Sequence, residues 1–350
     1  MSTVIPRFGK RERGYVLVLN LAVLALMLLG ASFVGQRVSD AVRLAKAEEK
    51  SVDDNYRLES ARAKLLMALA SAPRNSQGLG AMPATVSLDG SEYRLTDSVM
   101  VSLQDQRGLV SVNGGNLNGF GRERMERLLG TWGVSDARAA ALTDALLDYR
   151  DADDLRRING AERNEYRLDG SEADLRNADL LSVSELPRVW GWRNTPEIWK
   201  DDPIIDHVSI QTGTSFNPNT AGWRALVAMA GIDAEAAKNL VASRRSATVF
   251  TDISGVLFGQ GVGDPFGANS FVMPFPSATV IATLRINDAA WGYRMVLTHT
   301  PGENTAPWRM GAAWRVTLAA HPKEPKGVPK FPEMVQMIPV GGIRQIESIF

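Results

Sequence analysis

The sequence predicts an α+β fold: a long N-terminal, partly transmembrane helix packed on an antiparallel sheet, with a large all-α domain inserted into that sheet. Three observations predict it. Tyr15 to Val34 is a stretch of twenty residues without a charge. Alternating apolar and polar residues, the mark of half-buried strands, occur near 93–103 and again over 278–318. The roughly 150 residues between them show helical spacing instead.

Composition removes several function classes. The chain has 350 residues, enough for about two domains. Lys+Arg and Asp+Glu are both 39, so no global positive field draws it to nucleic acid or anionic lipid. Apolar residues at 45% and charged residues at 22% are ordinary for a folded chain. There is no cysteine, which excludes a disulfide scaffold, zinc ribbons and thiol catalysis. The three histidines, His207, His299 and His321, do not pair at metal-ligand spacing.

The first element is the apolar helix. Twenty residues at about 1.5 Å each cross a hydrocarbon core of about 30 Å. Arg7, Lys10, Arg11 and Arg13 precede it, and Arg37, Arg43 and Lys46 follow it. That bias is slight, but it and the short leading tail favour a cytoplasmic N-terminus. A cleaved secretory signal is the alternative, with a shorter apolar core and a cut near Ser32–Gly35. Residues 36–72 contain no Pro or Gly, and Val38, Val42, Ala45, Val52, Tyr56, Leu65 and Leu69 fall near helical spacing. The helix is therefore expected to continue to about residue 72, where Pro73 and the glycines at 78 and 80 end it.

The sheet comes next. Tyr93, Leu95, Val99, Val101 and Leu103 are expected on one face of a single strand over 93–103, with Leu109–Val112 as a short partner across Gln106-Arg107-Gly108. Strand patterns resume at Ala278–Ile286, at Trp291, Tyr293, Met295 and Leu297, and at Trp314, Val316 and Leu318. Turns at Asn287-Asp288 and Pro301-Gly302 make these an antiparallel meander. An edge strand at Met334–Pro339 is a further candidate. The predicted division is 1–14 leader, 15–35 membrane helix, 36–112 first part of the α/β domain, 113–265 helical insert, and 266–350 the rest of the sheet and a tail.

Within the insert, helices are expected at 121–131, 136–149, 182–189, 221–230 and 234–244. Ser182 with Glu185 forms a capping box, Asn219-Thr220-Ala221 is expected to open a helix, Gly231 to end it, and Asp233 to cap the next. Two helices joined by Gly-Ile-Asp suggest a helix-hairpin-helix or SAM-like insert, with a weaker analogue at 121–149. Such units often bind DNA phosphates. Here residues 113–265 carry 17 Lys+Arg against 23 Asp+Glu, a net of −6, and Asp233 and Glu235 stand in the hairpin itself. Phosphate binding needs cations there, so no nucleic acid is expected.

The densest feature is the acidic segment Asp148–Asp179, with Asp148, Asp151, Asp153, Asp154, Glu162, Glu165, Asp169, Glu172, Asp174 and Asp179. Carboxylates spread over a loop are what calcium takes, and Asp151, Asp153 and Glu162 could supply them. The spacing is not that of an EF-hand. The alternative is a solvated acidic loop neutralised by Arg150, Arg156, Arg157, Arg163 and Arg167. No nucleophile motif, Ser-His-Asp order or phosphate loop accompanies these acids, so no enzyme is expected. Gly259, Gly261 and Gly263 are followed by Asp-Pro rather than a helix, which argues against a dinucleotide site.

Arg13-Gly14 directly before the apolar run resembles the class III leader of type IV pilins and pseudopilins. Further stretches narrow the resemblance: Asp105-Gln-Arg-Gly108 running into Asn113; Leu147-Asp-Tyr-Arg-Asp-Ala-Asp153 with Gly160-Ala161-Glu162 and Tyr166; Ser182-Val-Ser-Glu-Leu186; and Asn217-x-Asn219-Thr220-Ala221. Together they resemble the K-type minor pseudopilins of type II secretion systems, over residues 13–221.

The resemblance implies a pilin-like sheet with a helical insert. It implies cleavage after Gly14 by prepilin peptidase, leaving Tyr15 as a methylated N-terminus, and a single-pass inner-membrane protein with its soluble domain in the periplasm. It also implies I-type and J-type minor pseudopilins as partners, with the major pseudopilin, in a tip complex that starts a pseudopilus and helps export folded proteins. Counting from Tyr15, position five is Leu19 where most pilins have Glu; the K-type subfamily shares this, as a subunit with none above it would. Calcium is implied at Asp151, Asp153 and Glu162, with Asn164 as a carbonyl donor; Arg163 departs from the acidic pattern of relatives. A membrane-anchored helix-hairpin-helix nucleic-acid-binding protein and a minor type IV pilin are the alternative readings.

Overall fold

The computed structural model describes residues 13–76, 78–80, 85–113, 120–168, 175–213, 215–245, 273–287, 289–318 and 327–332. The expectations for Gly259–Gly263 and Met334–Pro339, and most of the leader, lie outside these residues. Two compact units divide the chain, residues 1–57 and 58–350.

In the first unit, helix α1 (Arg13–Ser71) begins. Its apolar window from Tyr15 has a mean hydropathy of 2.5 and none of it is buried in the protein. Beyond the window the helix stays exposed, with Asp40–Arg43, Lys50–Asp54 and Asp53–Arg57 paired along its surface. Such pairs add little in water.

The second unit starts with the last turns of α1. Leu58, Ala61, Leu65, Ala68, Leu69 and Ala72 are buried, at the three- and four-residue spacing that places them on one face. Two-residue strands β1 (Arg74–Asn75) and β2 (Gly78–Leu79) reverse the chain after Pro73. The sheet proper is β3 (Asp89–Arg94), β4 (Val99–Asp105), β7 (Thr279–Ile286), β8 (Trp291–His299) and β9 (Trp308–Thr317), antiparallel throughout, in the order β3-β4-β7-β8-β9.

The expected single strand at 93–103 is therefore a correction: it is a hairpin. Leu95 N–H donates to the Val99 carbonyl at 3.0 Å, and Val99 N–H donates to the Thr96 hydroxyl at 3.0 Å. The reversal falls within the polar Thr96-Asp97-Ser98. Leu95 and Val99 are four positions apart, an even step, so Tyr93, Leu95, Val99, Val101 and Leu103 all still face the α1 core. The alternation was preserved while the direction changed. The partner expected at 109–112 is also corrected: β5 (Val110–Ser111) pairs in parallel with β6 (Val208–Ser209), outside the main sheet.

Everything between β4 and β7 leaves the sheet and returns to it, since these two strands are adjacent. That segment has its own apolar core, distinct from the one under α1. It contains α2 (Phe120–Gly130), α3 (Asp136–Arg150), α4 (Arg163–Leu168), α5 (Trp223–Ala230) and α6 (Ala234–Arg245). The capping box of Ser182 and Glu185 forms, but the helix it opens is a 3-10 helix, Val183–Arg188, with Pro187 inside. Helix α5 starts after Gly222 rather than at Asn219-Thr220. Gly231 ends it at φ +67, in the left-handed region that glycine adopts freely, and the Asp233 side chain accepts from Ala236 N–H at 2.8 Å to open α6.

Candidate functional site

The acidic segment is organised by one face of α3. Asp144, Asp148 and Asp151 recur at four- and three-residue steps, so their carboxylates line up along the helix. Asp144 accepts from the Arg122 guanidinium and, at 3.3 Å, from both the backbone and the side-chain nitrogen of Asn159. Asp148, fully buried, accepts from Arg157 N–H at 3.2 Å and its guanidinium at 2.6 Å. Burial pushes the Asp148 carboxyl upward, against the pull of Arg157. These two acids therefore pin the loop 157–160 onto α3. Gly160 is required for that approach: a Cβ there would stand 1.9 Å from Asp148 Oδ2.

The pinned loop delivers Glu162. Its backbone N–H donates to Glu165 at 3.0 Å, and Tyr166 N–H donates to its carbonyl at 3.3 Å, so it starts α4. The buried Tyr166 anchors α4, accepting from Trp190 N–H at 2.7 Å and packing edge-on to the Trp190 ring. Glu162 is only 4% exposed, yet neither of its carboxylate oxygens has a hydrogen-bond partner, and Asp151 Oδ1 has none either.

Asp151, Asp153 and Glu162 each present a carboxylate oxygen within 4.8 Å of the others. Burial, then the charges of Asp148, Asp151, Asp154 and Asp153, push the Glu162 carboxyl up to about 7. Arg157 also bonds the second oxygen of Asp151, and Asp153 accepts from Leu155 N–H at 2.8 Å. A buried carboxylate with no donor is costly unless a proton or cation compensates it. The donor set is all hard oxygen, one oxygen from each carboxylate lies within 4.8 Å of the others, and Asp151 and Glu162 hold orphaned oxygens, so these three residues fit a hard divalent cation. Asn164 stands exposed in the first turn of α4. Asp169, Glu172 and Asp174 lie outside the described residues. Composition pointed to the acids; it did not single out Asp148 and Gly160, whose role is to position the loop.

A second constellation joins the two cores. Asp105, at the end of β4 and fully buried, accepts four hydrogen bonds: Arg107 N–H at 3.2 Å, Ser277 N–H at 2.9 Å, Asn217 Nδ2 at 3.0 Å and the Thr220 hydroxyl at 2.9 Å. A Cβ on Gly108 would lie 2.5 Å from the Thr220 carbonyl. The sequence stretches 105–108 and 217–221, more than a hundred residues apart, thus meet at one carboxylate. Asn113 similarly receives Leu180 N–H and donates to the carbonyls of Leu180 and Ile210.

A helix long and apolar enough to cross a membrane, together with a helix-on-antiparallel-sheet unit whose sheet is opened by a helical segment, defines an α+β fold. Residues 101–199 match the family model of type II secretion system (T2SS), protein K. Over that segment the chain is similar to the family, and it spans less than half the length of the curated relative it matches. It is 30% identical over 166 residues to the type II secretion system protein K of Pseudomonas aeruginosa, an alignment spanning 45% of each chain. Among solved structures it is similar to a chain of the GspK-GspI-GspJ complex of the enterotoxigenic Escherichia coli type 2 secretion system. That likeness has a TM-score of 0.53 at 14% identity and covers 78% of this chain and 98% of the other, which is a likeness of fold.

Proposed function

We propose that this chain is the minor pseudopilin at the tip of a type II secretion pseudopilus. There it initiates assembly with I-type and J-type partners and supports export of folded proteins across the outer membrane. The observation that carries this reading is α1. It offers a membrane-length apolar segment and then Val38, Val42, Ala45, Val52 and Tyr56, all exposed among the described residues and near helical spacing. A helix that is apolar after it leaves the lipid is built to pack on neighbouring helices. Leu19 supports the tip position, because only a subunit with another above it needs a carboxylate to meet the neighbour's N-terminal amine. The GspK-GspI-GspJ assembly of the structural neighbour supports the choice of partners.

In this reading prepilin peptidase cuts after Gly14, Tyr15 becomes the methylated N-terminus, the inner membrane holds the helix, and the soluble part lies in the periplasm beside the major pseudopilin. Mass spectrometry of the N-terminus, from membranes with and without active peptidase, tests it. A mature chain beginning at Tyr15 only when the peptidase is active is the expected result. An intact leader or a cut near Ser32–Gly35 overturns it.

Calcium is the cation proposed for Asp151, Asp153 and Glu162, with the Asn164 carbonyl as a further donor. Bound there, it would neutralise carboxylates that now repel one another. This chain's own residues prepare the place: Asp144 and Asp148 hold the loop, Arg157 balances Asp148 and Asp151, and Tyr166 fixes the start of α4. Calorimetry on the intact protein should show calcium heat at or below millimolar metal that Glu162→Gln abolishes.

A further inference from the structure

The two edges of the five-stranded sheet are treated differently. The β3 edge is paired with the chain itself at its end: Arg94 N–H donates to the Pro329 carbonyl at 2.9 Å, Phe331 N–H donates to the Arg94 carbonyl at 2.9 Å, and Phe331 is buried against Tyr93. The β9 edge has no such cover among the described residues. Leu318 N–H bonds inward to Ala290, and Thr300 N–H takes the Pro307 carbonyl. Alternation from these two bonds leaves the main-chain groups of Trp308, Met310, Ala313, Arg315 and Thr317 facing away from β8. A register shift opposite Val296 accounts for the change of parity at Gly311-Ala312. Beyond it, Ala313–Thr317 is a regular strand segment with an open ladder and no Pro or Lys to blunt it.

Charge says what would fit. Neither β8 nor β9 contains an acidic residue. Arg309 and Arg315 lie on β9, on opposite faces by their pairing with Thr298 and Tyr293, and neither has an acidic partner among the described residues. Arg315 is exposed, and its guanidinium lies over the Trp291 ring, 4.4 Å from the centroid. Trp308 and Trp314 are half-buried beside them. Tryptophan with arginine is the composition of a protein interface rather than of a solvated edge. A second copy of this chain fits poorly, because antiparallel self-pairing over Ala313–Thr317 sets the two Arg315 side chains opposite or diagonal to each other on one face.

We propose that the β9 edge is a docking site for an extended, carboxylate-bearing strand of another subunit, which adds to the sheet beside Ala313–Thr317. This rests on the assembly reading above and names the surface through which that assembly is joined.

The test uses the full chain co-expressed with the I-type and J-type minor pseudopilins and recovered from membranes in detergent. Ala313→Pro removes only an outward N–H, which edge strands tolerate. Arg309→Glu/Arg315→Glu reverses the charge without touching the ladder. Each variant should lower recovery of a partner by about tenfold, the equivalent of about 1.4 kcal/mol, while the isolated chain stays folded by circular dichroism. Two single cysteines in this cysteine-free chain, at Ala313 and at solvent-facing Glu303, give a second readout; only the first should crosslink to the partner. If both variants assemble like the wild type, the β9 edge is not the interface, while the assembly reading stands. If the wild-type chain recovers neither partner, both fall. If Ala313-linked homodimers dominate, the edge takes a second copy and the heteromeric proposal is overturned.

Discussion

Glu162 shows how much of the acidic site rests on single side chains. Its carboxyl is raised from 4.5 to about 7, so the native state holds a proton over that interval that the unfolded chain has lost. By linkage, stability without metal declines as pH rises from about 4.5 through 7. Glu162→Gln should abolish that decline: equal to wild type near pH 4 and more stable above pH 7 in chelator, read by urea unfolding across pH. A divalent cation should reverse the wild-type trend, because it favours the ionised form. Gly160→Ala is the steric counterpart. With Asp148 Oδ2 1.9 Å from the new Cβ, the loop must move or the ion pair with Arg157 must open, at a cost of about 1–3 kcal/mol in denaturant unfolding. Asp202 behaves oppositely to Glu162. Burial alone would raise it, but His207 and Arg224 hold it at about 2, so its contribution is lost as pH falls from about 4 toward 2. His207→Ala should weaken acid resistance in that window, followed by circular dichroism.

At the scale of elements, periodicity was legible where a face repeats and blind where the chain turns. The helices at 121–131, 136–149 and 234–244 appear within a residue or two of their expected ends. The hairpin hidden in 93–103 did not show, because an even offset across the turn, from Leu95 to Val99, preserves which side is apolar. The short helix Arg163–Leu168 was not predicted; six residues carry too little pattern, and tertiary contact through Tyr166 holds it. The parallel β5–β6 pair joins residues about a hundred positions apart, and nothing local announces it. The α1–sheet contact makes a direct prediction. Leu65 is completely buried, so Leu65→Ala should cost about 2–5 kcal/mol and lower the thermal midpoint of the sheet.

For the whole molecule, the sheet and the inserted helices have separate cores, and Asp105 is one of the polar ties between them, beside Arg294–Asp206. Asp105→Ala leaves two backbone N–H groups, an amide and a hydroxyl without their acceptor in a dry junction. The expected outcome is a loss of about 2–4 kcal/mol and earlier proteolysis near 217–222 and 273–277, seen by limited digestion and mass spectrometry.

By itself, the sequence determined the membrane-length helix, the class of the fold, the reappearance of the sheet after a helical interlude and the acids of the candidate metal site. Each is a local pattern: a run without charge, a period of two or 3.6, or a cluster of one residue type. Only the tertiary structure decided that Asp148 and Gly160 pin the loop and that Glu162 is left without donors. It also decided that residues 105–108 close on 217–221, and that the β3 edge is paired at Arg94 while the β9 edge has no cover among the described residues. Those outcomes depend on which distant backbones approach each other, and burial, which turns an ordinary carboxylate into an unpaired one, exists only after the chain has packed.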